Sequence, residues 1–148
     1  MYRILSALAA AFLLIASSAN AAPNDEAKKL FERYVALEHA FDPEVADLYA
    51  DDALIKNRRT YPTGQVRELT MPAPQYKALI RQSMPLAKAK GDTSSYSDIT
   101  YSQEDSGVRV RATRFSNLKK YSSPVSLLAA PNADGLWRIR EELSESQP

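Results

Sequence analysis

Residues 96–113 read Tyr96-Ser97-Asp98-Ile99-Thr100-Tyr101-Ser102-Gln103-Glu104-Asp105-Ser106-Gly107-Val108-Arg109-Val110-Arg111-Ala112-Thr113, and this stretch decides the fold. Its first part is rich in Tyr, Thr and Ile, side chains that fit a pleated surface. Asp105-Ser106-Gly107 is turn chemistry. The second part alternates strictly. The pattern predicts two strands, Tyr96–Gln103 and Val108–Thr113, joined by a hairpin. Val108, Val110 and Ala112 share one face and Arg109 and Arg111 the other. The Arg face is expected to be wet, because burying two unpaired guanidiniums costs several kcal/mol. With the parity reversed, both would point inward and favour an anionic ligand.

Strand signals continue towards the C-terminus. Tyr121–Ala130 is a third strand, with Pro124 marking an edge or a bulge. Asn132-Ala133-Asp134-Gly135 turns the chain, Leu136–Leu143 is the last strand, and Glu145–Pro148 is a polar tail. On the N-terminal side the period is helical. Ala27, Leu30, Phe31, Tyr34, Leu37, Glu38 and Phe41 recur at steps of three or four, apolar but for Glu38, behind a cap expected at Asn24 or Asp25. Asp42-Pro43 starts a second short helix to Ala50, with Val45, Leu48 and Tyr49 inward. Ala53–Arg58 is a short strand, Tyr61-Pro62-Thr63-Gly64 a turn, and Gln65–Thr70 a strand or loop. Gln75–Lys90 is a third helix with Tyr76, Leu79, Ile80 and Leu86 inward, kinked or ended at Pro85 and closed by Gly91. Helices first and strands after predict an α+β domain, a cone-shaped curved antiparallel sheet wrapped around the long first helix.

Farther out lies the N-terminus. Met1-Tyr2-Arg3 carries one positive charge, Ile4–Ala16 is apolar but for Ser6, and Ala19-Asn20-Ala21 fits a small-residue cleavage site. This is the build of a secretory signal peptide, too short for a membrane span of about 20 apolar residues. Residues 1–21 are therefore expected to be removed, leaving 22–148 as one periplasmic or secreted domain. Arg3 leaves with them, so the mature chain carries equal numbers of acidic and basic residues. That balance argues against a nucleic-acid binder. With no Cys, no disulfide holds the fold, and one His without Cys disfavours a transition-metal site. No metal or cofactor is expected.

Three local patterns carry a resemblance. Phe31-Glu32-Arg33-Tyr34-Val35-Ala36, Leu48-Tyr49-Ala50-Asp51-Asp52-Ala53 and Asp134-Gly135-Leu136-Trp137-Arg138-Ile139 occur in an order that resembles the nuclear transport factor 2-like superfamily, which holds the SnoaL-like and ketosteroid-isomerase-like proteins. The resemblance spans Glu26 to Leu143. It implies a pocket between sheet and helices, and frequent homodimers. The isomerase branch uses a Tyr on the first helix, an Asp base on the first strand and a protonated Asp on a late strand. The corresponding positions here are Tyr34, Asn57 and Ser126. An amide is no base, so isomerase activity of that kind is not expected.

Tyr34, Tyr49, Asn57, Ser126 and Trp137 are the candidate pocket residues. Their polar groups suit a small apolar molecule bearing a carbonyl or carboxylate, though Tyr34 and Trp137 also read as core aromatics. His39 reads as a surface residue at a helix end. Asp51 and Asp52 diverge as neighbours and read as a cap or turn. The expected function is exported small-molecule binding in an apolar pocket without catalysis. The alternatives are a lyase, isomerase or hydrolase built on the same pocket, with Asp51, Asp52 or His39 as acid or base, and a homodimeric interaction module presenting Tyr96, Tyr101 and Tyr121.

Overall fold

A computed structural model describes residues 22–148; the expected signal peptide lies outside the described residues. Pro23 fixes the first turn of helix α1 (Pro23–His39), so Asn24 and Asp25 fall inside that turn and no side chain caps it. A 3₁₀ turn, Pro43–Leu48, follows, begun by the Asp42 carboxylate accepting from the Glu44 amide at 2.9 Å. Strand β1 (Tyr49–Thr60) then starts four residues earlier than the sequence suggested. Asp51 and Asp52 are thus strand residues, in a bulge between Tyr49 and Leu54. Strand β2 is Val66–Pro72, α2 is Ala73–Lys90, β3 is Ser94–Glu104, β4 is Gly107–Ser116, β5 is Ser122–Pro131 and β6 is Trp137–Ser146.

Helix α2 runs past Pro85 to Gly91, whose left-handed backbone (φ 62°) closes it. Pro85 and Arg81, whose carbonyl loses its helical partner, are both exposed, so water can satisfy the break. The inward stripe of α2 is Ala73, Tyr76, Ile80 and Met84, while Leu79 and Leu86 are exposed. Those two leucines sit about 100° off the stripe, which the helical period allows and composition alone does not reveal.

The six strands form one sheet in the order β2-β1-β6-β5-β4-β3. Four of the five pairings are antiparallel, as expected, but β1 and β6 run parallel. The sheet is therefore mixed. The β3–β6 meander reverses at every turn and brings β6 back beside β1 in the same direction. The inner face carries Val108, Val110, Ala112, Val125, Leu127, Ala129, Ile139 and Ile55, all buried against Ala27, Leu30 and Phe31 of α1. Each fully buried aliphatic side chain there contributes roughly 1.5–3 kcal/mol. Among the described residues no helix is long and apolar enough to cross a membrane.

Arginine parity on β4 follows the expectation, with Val108 and Val110 inward. Yet Arg109 is only 9% exposed on the outer face. It is held by Glu104 at 3.1 Å and Glu141 at 2.5 Å, so this guanidinium is covered but paired. Arg109 and Arg111 pull the Glu104 pKa down, chiefly through the Arg109 hydrogen bond.

Candidate functional site

Beneath the open end of the cone lies a cluster of phenols around a carboxylate that sequence reading did not single out. Glu142 on β6 is 3% exposed and faces inward. Tyr49 at the start of β1 donates its hydroxyl to Glu142 Oε2, and Tyr76 of α2 donates to both carboxylate oxygens at 3.1 and 3.3 Å. The two rings meet edge to face, 5.4 Å apart. Two O–H donors satisfy the acceptor inside the core, as a buried carboxylate requires. Burial, followed by the Glu142 charge, pushes the pKa of both Tyr49 and Tyr76 well above the usual phenol value.

Nearer the mouth, Tyr96 on β3 donates to Glu38 of α1 at 2.7 Å. Phe31, Tyr34 and Tyr96 pack ring on ring, with centroids 5.5–6.2 Å apart. Burial is the main cause that raises both Tyr34 and Tyr96; neighbouring Glu142 and Glu38 add to it for Tyr34, and Tyr34 and Glu38 for Tyr96. These phenols stay protonated at neutral pH and fill the floor of the cone. The apolar depth below them, around Ala27, Leu30 and Val110, leaves no room for a water molecule.

Above this floor opens a throat of about 330 Å³ between the C-terminal ends of α1 and α2 and the ends of β1, β4 and β6. Glu38, Phe41, Arg59, Met84, Arg114 and Tyr121 are on its wall. The wall is mostly polar and charged, not the apolar lining expected. Phe41 takes a left-handed backbone (φ 55°) to close α1. Its amide donates to the Glu38 carbonyl at 3.0 Å and the Asp42 amide to that of Leu37 at 2.9 Å. Gly91 and Asp92 make the same pair of bonds at the end of α2.

The expected pocket residues separate. Tyr49 joins the Glu142 cluster. Tyr34 faces inward below the throat. Asn57 also faces inward, but both ends of its amide are engaged: it donates to Ser144 Oγ at 3.0 Å and accepts from Ser146 Oγ at 2.8 Å. Ser126 makes no hydrogen bond to Tyr34 or Asn57: it pairs with Leu143 and Arg111 on the outer face, 3.5 Å from an Arg109 nitrogen, beside an outer groove of about 430 Å³ that Asn57 and Ser144 also border. Ser144 is the serine that meets Asn57. Trp137 is half-buried at the opposite end of β6, paired with Pro131 and packed on the core.

The titratable alternatives are engaged elsewhere. His39 Nε2 lies 2.6 Å from the Ser94 carbonyl and ties α1 to β3. Asp51 pairs with Lys77 at 2.7 Å, which holds its pKa below the usual carboxylate range, and Asp52 pairs with Arg140 at 2.9 Å. Among the described residues no group of three or more His, Cys, Asp or Glu is placed to hold a metal ion.

No family model and no curated protein matches the chain. Solved structures do. A nuclear transport factor 2-like protein with a cystatin-like fold from Novosphingobium aromaticivorans aligns with a TM-score of 0.54 at 18% identity, covering 82% of this chain and 79% of that one. A provisionally assigned calcium/calmodulin-dependent protein kinase II association domain from Xanthomonas campestris gives 0.55 at 21%, covering 83% and 86%. A provisionally assigned ketosteroid isomerase from Shewanella frigidimarina gives 0.58 at 15%, covering 82% and 96%. At these identities the likeness is one of fold. The chain has the nuclear transport factor 2-like, cystatin-like fold, and a fold shared by proteins so differently described does not carry an activity.

Proposed function

We propose that this chain is an exported small-molecule-binding protein that holds its ligand in the throat and performs no chemistry of its own. The throat carries this reading. Its volume of about 330 Å³ falls within the range of small-molecule sites, and it opens over a floor filled by the protein's own side chains. A non-catalytic role is supported at Asn57, whose amide is held at both ends by Ser144 and Ser146 and cannot take a proton. Export rests on the sequence of residues 1–21; N-terminal sequencing of the protein recovered outside the cytoplasm is expected to start at Ala22. The ligand is tested by exposing purified protein to a broad metabolite mixture and recording native mass spectra. A retained adduct, lost when Phe41→Ala opens the throat wall, is expected. A crystal structure in which the throat is closed by side chains would rule the reading out.

A second reading, pairing of two copies, is supported by the outer sheet face. Leu54 and Leu143 are each 39% exposed there, and Leu143 lines the outer groove with Pro124. Sedimentation across a hundredfold concentration range decides it: a constant monomer mass excludes pairing.

A further inference from the structure

Charge around the throat narrows the class of ligand. Arg59, Arg114 and Lys119 line it, against the carboxylates of Glu38 and Asp92. Among the described residues none of these three cations belongs to an ion pair, and Glu38 is already taken by the Tyr96 hydroxyl. Arg114 donates to the Glu145 carbonyl at 2.9 Å and to Ser123 Oγ at 3.4 Å, neutral acceptors that hold the guanidinium without neutralising it.

Arg59 is the more exposed to charge repulsion. Its Nε is buried with no hydrogen-bond partner. It stands directly opposite Arg67 in the β1–β2 ladder, and the two guanidiniums share the ring of Tyr61, at 5.6 and 5.5 Å from its centroid. Like charges facing each other across strands destabilise the pair, and a half-buried guanidinium without a carboxylate leaves desolvation uncompensated. Arg81, Arg109, Arg111 and Arg140 each pair with a carboxylate, whereas Arg59 and Arg114, on the wall of one cavity, belong to no ion pair among the described residues.

We infer that the throat binds a small amphiphilic oxyanion, a carboxylate or phosphate head on a short apolar body. The head lies against Arg59 and Arg114, whose planar forks match two oxygens at once. The body lies on Phe41, Met84 and Ala87, the apolar part of the wall. This inference rests on the throat being the binding site.

Titration calorimetry of the mature chain with octanoate, octyl phosphate and 1-octanol tests it. At least one anion is expected to bind ten times more tightly than 1-octanol, and to weaken as salt rises. The tighter of the two anions identifies the head group. Arg59→Gln is expected to weaken that anion about tenfold and leave 1-octanol unchanged. Should Arg59→Gln not fold, Arg114→Gln and the salt dependence serve in its place. Equal binding of 1-octanol and both anions, or an anion indifferent to both substitutions, overturns the inference. If a neutral metabolite still gives an adduct in the throat, the binding function stands without it. If no probe and no metabolite binds, both fall.

Discussion

Tyr49→Phe removes one hydroxyl from the Glu142 cluster and nothing else. The ring stays, so no cavity opens, and Glu142 keeps the Tyr76 donor. A hydrogen bond to a charged acceptor is worth about 1.5–3 kcal/mol, and the site is 2% exposed, so a loss of about 2 kcal/mol is expected at pH 7. The same substitution deletes a titration. Tyr49 has a raised pKa in the folded protein, because burial and then the Glu142 charge oppose its ionisation. Above about pH 10 the unfolded chain ionises this phenol and the folded chain does not. The folded state then binds more protons, so its stability falls as pH rises, by about 1.4 kcal/mol per pH unit for one group. The contribution of Tyr49 is therefore complete below pH 10 and erodes above it. Tyr34, Tyr76 and Tyr96 are raised too, but they are present in both proteins and cancel in the comparison. The gap between wild type and Tyr49→Phe is expected to hold near 2 kcal/mol from pH 7 to 9 and to shrink below about 1 kcal/mol by pH 11. Urea denaturation followed by Trp137 fluorescence measures it, with tyrosinate absorbance recorded in parallel. A gap that stays constant between pH 9 and 11, or a folded protein in which every tyrosine ionises near pH 10, would refute the buried Tyr49–Glu142 contact.

Four further outcomes follow from backbone and charge. At Gly107 an added Cβ would lie 2.3 Å from the Ala129 carbonyl oxygen and 2.9 Å from the Ala130 Cβ, so Gly107→Ala is expected to cost about 2–4 kcal/mol in denaturant titration. Gly64→Ala meets open space and pays only for its left-handed backbone, about 1 kcal/mol. At position 41 the left-handed backbone reverses the usual helical ranking: Phe41→Gly is expected to be more stable than Phe41→Ala by about 1 kcal/mol in thermal unfolding, and the opposite order would mean that α1 does not close through that conformation. Arg109→Met leaves Glu141 without its cation and Glu104 with Arg111 alone; a loss of about 2–3 kcal/mol at pH 7 is expected, recovered in large part when Glu141 becomes Gln.

Residue 142 shows where local reading stops. Counting by two from Ile139, which is buried, sends residues 141 and 143 inward and 142 out. A register shift between Leu128 and Ala129 adds one residue to β6, so Ile139 pairs with Ala129 but Glu141 with Leu128. Beyond it the parity is reversed: Glu142 and Ser144 face inward, and Leu143 is left 39% exposed outside. A side-chain period of two has no tolerance for one extra residue. The same offset accounts for Ser144 standing where Asn57 needed a partner, whereas Ser126 faces out by the plain alternation of β5, between inward Val125 and Leu127. On β4, which has no such shift against β5, the alternation of Val108, Val110 and Ala112 was legible as written.

The sequence by itself determined the elements, their order, and the α+β class with its nuclear transport factor 2-like fold, because helix stripes, strand alternation, prolines and turn glycines act within a few residues of one another. It also determined that Asn57 could not serve as a base. Only the tertiary structure decided that β6 returns parallel to β1, that a carboxylate lies buried among phenols, and that unpaired arginines ring the throat. Those facts join residues from 55 (Arg59 and Arg114) to 93 (Tyr49 and Glu142) positions apart, and their free energies depend on burial and on which charges become neighbours, quantities that exist only once the chain is folded.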